Sequence, residues 1–265
     1  MEKDCKDLRV AVLKMINKAG SGHPGGSLSA VELLYVLYKK ILRFDVKNIQ
    51  DINRDRVIIS KGHCSPIVYC ILNKFGFFSK NELEKFREYG ALLQGHVSKN
   101  IPGIELSTGS LGMGLGVSCG MALAGKLREI KYNVYCLIGD GELQEGSNWE
   151  SLMFASHHKL TNLCIILDYN KVQENGFVNN INNIEPLKEK LESFGWKVIE
   201  IDGHNIIEIE ESYNKFLNEK EKPTIIIGNT IKGKGVSFME FNNKWHGKAP
   251  NENELAKAIL ELEEK

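Results

Sequence analysis

Five short apolar segments, separated by stretches with helical patterning, most constrain how this chain can fold. They span residues 57–60, 134–138, 163–168, 197–201 and 224–228, and they are rich in Ile and Val. Their apolar residues are consecutive rather than alternate, which is typical of strands in a parallel sheet that is covered on both faces. The sequence therefore predicts an α/β fold with a doubly wound, mainly parallel sheet and helices on both faces.

Capping signals mark several helix starts between these segments. Ser29 with Glu32, and Ser79 with Glu82, have the spacing of a capping box before an apolar run. Ser65, which is followed by proline, indicates an N-cap and a third helix start.

Further helices are predicted over 185–194, 206–218 and 252–265. In a doubly wound sheet, ligands bind at the carboxyl ends of the strands. We therefore expect the chemistry to lie directly after each apolar segment.

Composition excludes several classes of protein. The chain has 34 Lys and Arg against 34 Asp and Glu, a formal net charge of zero, which argues against a protein that mainly binds nucleic acid. No apolar stretch approaches 18 residues, so no transmembrane helix is expected, and the charged N-terminal segment does not resemble a signal peptide. The six cysteines form no CxxC pair, which favours a reducing, cytoplasmic compartment and argues against a zinc site.

Side chains whose oxygen atoms could bind a metal follow two successive predicted strands. Gly139, Asp140 and Gly141 come after the second, and Asn170 comes after the third. Each motif alone is also compatible with an ordinary turn or cap. Together, at neighbouring strand ends, they predict a metal–diphosphate site, in which a carboxylate, an amide oxygen and the backbone carbonyl of Val172 bind Mg²⁺.

A glycine-rich stretch over 108–120 leads into a predicted helix and is a second candidate for phosphate binding. A dinucleotide-binding loop is the alternative. It fits poorly, because the spacing Gly112-x-Gly114-x-Gly116 is not GxGxxG and no clear strand comes directly before it.

Four histidines stand beside glycines in predicted loops: His23, His63, His96 and His246. Such loops on a rigid scaffold can direct side chains into one cavity. Histidine exchanges protons near neutral pH, so these residues could move protons on a polyhydroxylated substrate. The remaining histidines, at 157, 158 and 204, are interpreted as structural.

The motifs SGHPGGSLS, SKGH, QGH, STGSLGMGL, GDGELQEG, LDYNKV and WHG, in this order, resemble the N-terminal half of transketolase. The resemblance covers residues 23–246. Gly-Asp-Gly followed about thirty residues later by Asn is the thiamine diphosphate signature. SGHPG with STGSLG narrows the resemblance to transketolase.

The resemblance implies a thiamine diphosphate-binding fold of the diphosphate-binding type. It implies Asp140, Asn170 and the carbonyl of Val172 as ligands of Mg²⁺, or of another divalent cation such as Ca²⁺ or Mn²⁺. The residues that it implies in cofactor binding are His63, Gly109, Ser110, Leu111, Gly141, Glu145, Asn170 and His246. The family often has proline where this chain has Ser110, and Asp-Gly where it has Asn175-Gly176.

The resemblance also implies roles at the substrate end of the cofactor. His23 and His96 match residues that meet the ketose hydroxyls, and His246 matches one that contacts both diphosphate and substrate. Glu145 matches an acid that supports the cofactor-activating glutamate of a partner domain.

What the resemblance implies overall is one subunit of a split transketolase, which transfers a two-carbon ketol unit from a ketose phosphate to an aldose phosphate. Residues 1–265 would form a single diphosphate-binding domain. The pyrimidine-binding and C-terminal domains are expected on a separate chain, in an α2β2 assembly, with sugar phosphates as substrates. The alternatives are another thiamine diphosphate-dependent ketol-transfer enzyme and a non-catalytic assembly module of the same fold.

Overall fold

A five-stranded parallel sheet forms the centre of the protein. The structure is a computed structural model that describes residues 1–264. The strands of the sheet are β1 (Arg56–Ile59), β2 (Val134–Gly139), β3 (Leu163–Tyr169), β6 (Lys197–Asp202) and β7 (Thr224–Asn229). Their order across the sheet is β1-β2-β3-β7-β6, and all neighbours are parallel.

The predicted strands are confirmed, each to within one residue at either end. A small antiparallel hairpin, formed by β4 (Val172–Gln173) and β5 (Gly176–Phe177), follows β3. It places residues 170–177 beside the end of β2, where the candidate site lies.

Helices cover both faces of the sheet, as predicted. The α-helices are α1 (Glu2–Ala19), α2 (Pro24–Ser29), α3 (Val31–Val36), α4 (Ser65–Lys74), α5 (Lys80–Leu83), α6 (Met113–Leu127), α7 (Gly146–His157), α8 (Val178–Ile181), α9 (Leu187–Ser193), α10 (Ile206–Asn218) and α11 (Glu252–Glu264). One face of the sheet packs against α1, α3, α4 and α10, and the other packs against α6, α7 and α9. Within residues 1–264, no helix combines the length and apolar character needed to cross a bilayer.

Alternate residues of each strand supply the two cores. In β2, for example, Tyr135 and Leu137 face one core, and Cys136 and Ile138 face the other. This arrangement explains why the strands are apolar at consecutive positions. It also fixes the register, so that the polar residues after the strands lie together at one edge of the sheet.

The capping predictions are partly wrong. Ser29 does not cap α3: it ends α2, and its hydroxyl donates to Asp168 Oδ2 at 2.6 Å. Glu32 binds Arg9 through both oxygens, at 2.6 and 2.7 Å. Ser29 and Glu32 thus bind buried charged side chains that are distant in sequence instead of capping α3, because a buried charged group must be paired.

The other two predicted helix starts, at Ser79 and Ser65, also differ from the structure. Ser79 is the N-cap residue of α5 but makes no side-chain capping bond, and the helix is only four residues long. Ser65 is the first residue of α4 rather than its cap, and its hydroxyl donates to the Gly95 carbonyl at 2.8 Å. That bond fixes the segment that carries His96.

The predicted helix over 185–194 is shorter in the structure, where α9 begins at Leu187. The Glu185 carboxylate accepts the Leu187 N–H at 2.7 Å and the Tyr169 hydroxyl. Helix α10 has the predicted bounds. The predicted C-terminal helix includes residue 265, which lies outside the described residues.

Candidate functional site

A cavity of about 390 Å³ opens at the carboxyl ends of β1, β2 and β3. All predicted site residues except Ser110 line it: His23, His63, His96, Gly109, Leu111, Asp140, Gly141, Glu145, Asn170, Val172 and His246. Ser110 is exposed at the edge of the same loop. The residues predicted after the strand ends and those predicted in the glycine-rich loops therefore lie in a single cavity.

Asp140 and Asn170 follow the paired strands β2 and β3, in which Gly139 lies opposite Asp168. The Asp140 carboxylate accepts the N–H of Gly141 at 2.7 Å and the N–H of Lys171. The Asn170 amide donates to Asp168 at 3.2 Å, and its oxygen accepts the Val172 N–H at 3.1 Å.

Asp140 is only 3% exposed. Burial, together with the charge of Asp168, raises the pKa of the Asp140 carboxyl to about 6. Among residues 1–264, no cationic side chain forms an ion pair with it. A buried carboxylate without a counterion is costly, and a divalent cation would offset that cost.

The donor set is one carboxylate, one amide oxygen and one carbonyl. Over the described part of the chain, no group of three or more His, Cys, Asp or Glu side chains is placed to hold a metal. Oxygen ligands from an acid, an amide and the backbone suit Mg²⁺ or Ca²⁺, which take phosphate and water for the remaining positions. The residues therefore fit a magnesium–diphosphate site better than a zinc site.

Lys232 lies beside the third expected ligand. Its ammonium donates to the Val172 carbonyl at 2.8 Å and lies 2.9 Å from His246 Nδ1. Burial, reinforced by the charge of Lys61, lowers the pKa of Lys232 to about 8. A cation bound at the Val172 oxygen would require this ammonium to move, because like charges repel.

The four glycine-flanked histidines come together. The ring centroid of His23 lies 5.5 Å from that of His63, 5.8 Å from His96 and 5.4 Å from His246. The His63 and His246 centroids are 5.1 Å apart. Residues from four separate loops thus form one cluster, as the sequence predicts.

Burial lowers the pKa of His23 to about 4 and that of His246 to about 3, with further lowering by nearby cationic groups. The pKa of His63 lies well below its ordinary value, and that of His96 is lowered, mainly because these rings are removed from water. The rings are therefore neutral at pH 7. Each neutral ring has one donor and one acceptor, a suitable pattern for sugar hydroxyls.

Two glycines bring the backbone close to the cavity. A Cβ at Gly109 would lie 3.1 Å from the His96 ring, and its φ of 154° is one that other residues rarely adopt. A Cβ at Gly141 would lie 3.0 Å from the Gln173 side chain. Exposed backbone N–H groups at such positions can approach a diphosphate.

Sequence reasoning missed a buried ion pair at the floor of the cavity. Asp168, fully buried, accepts the Lys61 ammonium, the Ser29 hydroxyl and the Thr230 hydroxyl. Lys61 lines the cavity and also donates to the Gly26 carbonyl at 3.1 Å. The strand-end rule could have found Lys61, because it comes two residues after β1.

The structural histidines lie outside the cavity lining. His204 accepts the Ile231 N–H at 2.9 Å, and its other ring nitrogen lies 2.9 Å from Glu32. His157 ends α7 and His158 follows it. Their placement agrees with the structural interpretation.

Comparisons with known proteins agree with this geometry. The model of the family "Transketolase, thiamine diphosphate binding domain" matches residues 2–263. An apulose-4-phosphate transketolase subunit from Phocaeicola vulgatus is 37% identical over 265 residues, which are 100% of this chain and 94% of that protein. A 6-deoxy-6-sulfo-D-fructose transketolase subunit from a Clostridium species is 40% identical over 97% of this chain and 94% of its own length.

Longer relatives match over only part of their length. Human transketolase is 39% identical over 96% of this chain, which corresponds to 41% of the human protein. The crystal structure of transketolase from Campylobacter jejuni has a TM-score of 0.94 and 34% identity, and the match covers 99% of this chain and 42% of that one. This chain, with its parallel sheet and strand-end cavity, therefore belongs to the transketolase family of transferases and comprises the family's thiamine diphosphate-binding domain.

Proposed function

We propose that this chain is the diphosphate-binding subunit of a two-chain transketolase, which transfers a two-carbon ketol unit from a ketose phosphate to an aldose phosphate. The observation that carries the proposal is the convergence of Asp140, Asn170 and four neutral histidines in one cavity. The two relatives named as transketolase subunits, each matched over 94% of its length, support the split arrangement.

In this proposal, Asp140, Asn170 and the Val172 carbonyl hold Mg²⁺, or Ca²⁺ or Mn²⁺ in its place. A cation held there would supply positive charge for the diphosphate of the cofactor, and groups for the other end of the cofactor would come from the partner. Gly141 and the loop 109–111 provide backbone groups for the diphosphate. Bound thiamine diphosphate supplies the carbanion chemistry of ketol transfer.

The histidines of this chain orient the sugar and accept or return protons. His23 and His96 are assigned to the ketose hydroxyls because they match the family residues with that role and lie 5.8 Å apart, centroid to centroid, in the cavity. His246 contacts Lys232 at 2.9 Å, so it is assigned to the diphosphate as well as to the substrate. His63 is assigned to the cofactor.

The partner in this proposal is a C-terminal transketolase chain, in an α2β2 assembly, that carries the pyrimidine-binding and C-terminal domains. Residues 1–265 then act as one diphosphate-binding domain. A reducing, cytoplasmic location is supported by the six cysteines, all buried as free thiols.

Ketol transfer by the assembled chains tests this function. With thiamine diphosphate and Mg²⁺, the complex should produce a ketose phosphate two carbons longer than the aldose phosphate supplied, as measured by mass spectrometry. Chelation with EDTA should remove the activity, and Mg²⁺, Ca²⁺ or Mn²⁺ should restore it. Absence of transfer by a stable complex loaded with the cofactor would reject the function.

Replacement of His23 or His246 tests the role of the cluster. If these rings move protons or hold developing charge, His23→Ala and His246→Ala should each slow turnover by roughly 10²–10⁴-fold. His246→Ala should also weaken cofactor affinity, whereas His23→Ala should not. Steady-state kinetics at saturating cofactor and calorimetric titration separate the two effects.

His157→Ala is the matched control, because His157 is exposed and lies at the end of α7. It should retain full turnover. A His23→Ala enzyme with unchanged kcat would show that His23 has only a structural role.

A further inference from the structure

One buried carboxylate in the cavity lining, that of Glu142, has no part in the proposed chemistry. Glu142 lies in the helical turn Gly141–Gln144, which follows β2, and is 3% exposed. Its carboxylate joins three segments of the chain. One oxygen accepts the Gly112 N–H at 3.0 Å and the Ser60 hydroxyl, and the other accepts the Gly139 N–H at 3.1 Å.

All three partners act as donors. The backbone N–H groups of Gly112 and Gly139 can only donate. The Ser60 hydroxyl accepts the Gly114 N–H at 3.1 Å, which leaves its own proton for Glu142. The site therefore requires an acceptor at both oxygens, and a carboxylate meets this requirement whereas an amide does not.

The joined segments are those that face the diphosphate in the proposed function. Gly112 ends the loop 108–112, and Gly139 begins the turn 139–141 that presents Asp140. The start of the loop is held separately, because the Thr108 hydroxyl donates to the Ile59 carbonyl at 2.6 Å. At the other end, the Ser147 hydroxyl donates to the Gly112 carbonyl at 3.0 Å, which ties the loop to α7. The Glu142 carboxylate, by contrast, binds the backbone of both the loop and the turn.

We propose that Glu142 is a positioning residue, which fixes the loop 108–112 against the turn 139–141 so that both can bind the diphosphate together. The proposal rests on the proposed function, since that function makes the two segments one binding site. Glu142 itself contacts neither the cofactor nor the reacting atoms in this role.

The variant Glu142→Gln tests the proposal. It keeps the shape of the side chain, but its NH₂ group must face a donor, so at least one of the three hydrogen bonds is lost. In the full-length chain without cofactor, amide hydrogen exchange over residues 108–114 should become about tenfold faster, while exchange in β3 should not change. In the complex with the partner chain, the Kd of thiamine diphosphate at fixed Mg²⁺ should rise about tenfold.

A split between affinity and turnover distinguishes positioning from a general loss of structure. At saturating cofactor, kcat of Glu142→Gln should stay within about twofold of the parent, because the reacting groups remain. Tyr213→Phe is the matched control: it removes one buried hydrogen bond, from the Tyr213 hydroxyl to the Leu33 carbonyl at 2.9 Å, and neither residue lines the cavity. It should lower Tm without changing the Kd of the cofactor.

Unchanged loop exchange or unchanged cofactor affinity in Glu142→Gln would overturn the proposal, as would an equal loss of affinity in Tyr213→Phe. Asp140→Ala, titrated beside them, separates this failure from failure of the function. If Asp140→Ala binds the cofactor normally, the proposed cofactor site is wrong. If Asp140→Ala loses the cofactor and Glu142→Gln behaves as the parent, only the positioning role is wrong.

Discussion

Asp140→Ala is expected to abolish binding of thiamine diphosphate in the presence of Mg²⁺, and with it all ketol transfer. The Asp140 carboxylate is the only charged member of the proposed ligand set and stands at the end of β2, 3% exposed. Changes to groups that merely support a metal ligand cost about 10–100-fold in affinity, so loss of the charged ligand itself should exceed about 100-fold. Asn170→Ala, which removes a neutral ligand, should weaken binding less.

The folding stability of the unliganded chain should depend much less on Asp140 than cofactor binding does. Because burial raises the pKa of Asp140 to about 6, the ionised carboxylate disfavours the folded state at neutral pH. Asp140→Asn removes the charge, which favours folding, but its NH₂ group then faces one of the two backbone N–H groups that the carboxylate accepts, so its Tm should stay close to that of the parent. It should, however, gain little Tm when Mg²⁺ and thiamine diphosphate are added, since ligand stabilisation follows affinity.

Asp202→Ala is the matched control for both measurements. Asp202 also ends a strand of the sheet, β6, but its side chain is exposed and does not line the cavity. Calorimetry and thermal unfolding of the assembled enzyme should give parent-like values for this variant. Unchanged cofactor affinity in Asp140→Ala would falsify the metal–diphosphate site.

The features that the sequence predicts well are local or follow directly from parallel pairing. Runs of consecutive apolar residues define the strands, and the residues after neighbouring strands must meet at one edge. Asp140 and Asn170 therefore lie together because β2 and β3 are adjacent. The histidines were predictable as a cluster only through their flanking glycines, since four separate loops carry them.

The features that were missed depend on partners far apart in the chain. Lys61 and Asp168 are 107 positions apart, and Ser29 and Asp168 are 139 apart. No local spacing encodes such pairs. A capping pattern at Ser29 has the same sequence signature whether its hydroxyl caps a helix or satisfies a distant carboxylate. Glu142 was missed for the same reason, because its three donors come from three segments that only the folded sheet brings together.

This chain alone is expected to have no ketol-transfer activity, and activity should depend on a second polypeptide. The groups lining its cavity suit the diphosphate end of the cofactor: Asp140, Asn170, Gly141 and the glycine-rich loop. The full-length human relative is 39% identical to this chain over only 41% of its own length. The remainder of the human protein lies outside the match, and under the proposed function a separate chain provides its equivalent.

The cavity mouth suits an interface with such a chain. Glu145 and Leu111 line it with exposed side chains, and Met113, 56% exposed, begins α6 beside them. Exposed apolar residues around a binding site are typical of surfaces that a partner covers. The partner should therefore seat over this edge of the sheet and bury Met113.

Met113→Glu tests the interface directly. A charge buried without a partner should prevent assembly, so the variant should fold but fail to regain activity when the partner chain is added. Ile52→Glu is the matched control, because Ile52 is 58% exposed and lies before β1, at the opposite edge of the sheet. Light scattering after size-exclusion chromatography should show complexes with the parent and with Ile52→Glu, and free chain with Met113→Glu.

The activity assay decides the split arrangement. Purified chain with ketose phosphate, aldose phosphate, Mg²⁺ and thiamine diphosphate should show no turnover, because its cavity offers groups for only one end of the cofactor. Addition of the partner should produce turnover that saturates at one partner per chain, as an α2β2 assembly requires. Full ketol transfer by the isolated 265-residue chain, shown by mass spectrometry to be free of other transketolase polypeptides, would rule out the two-chain enzyme while leaving the metal–diphosphate site intact.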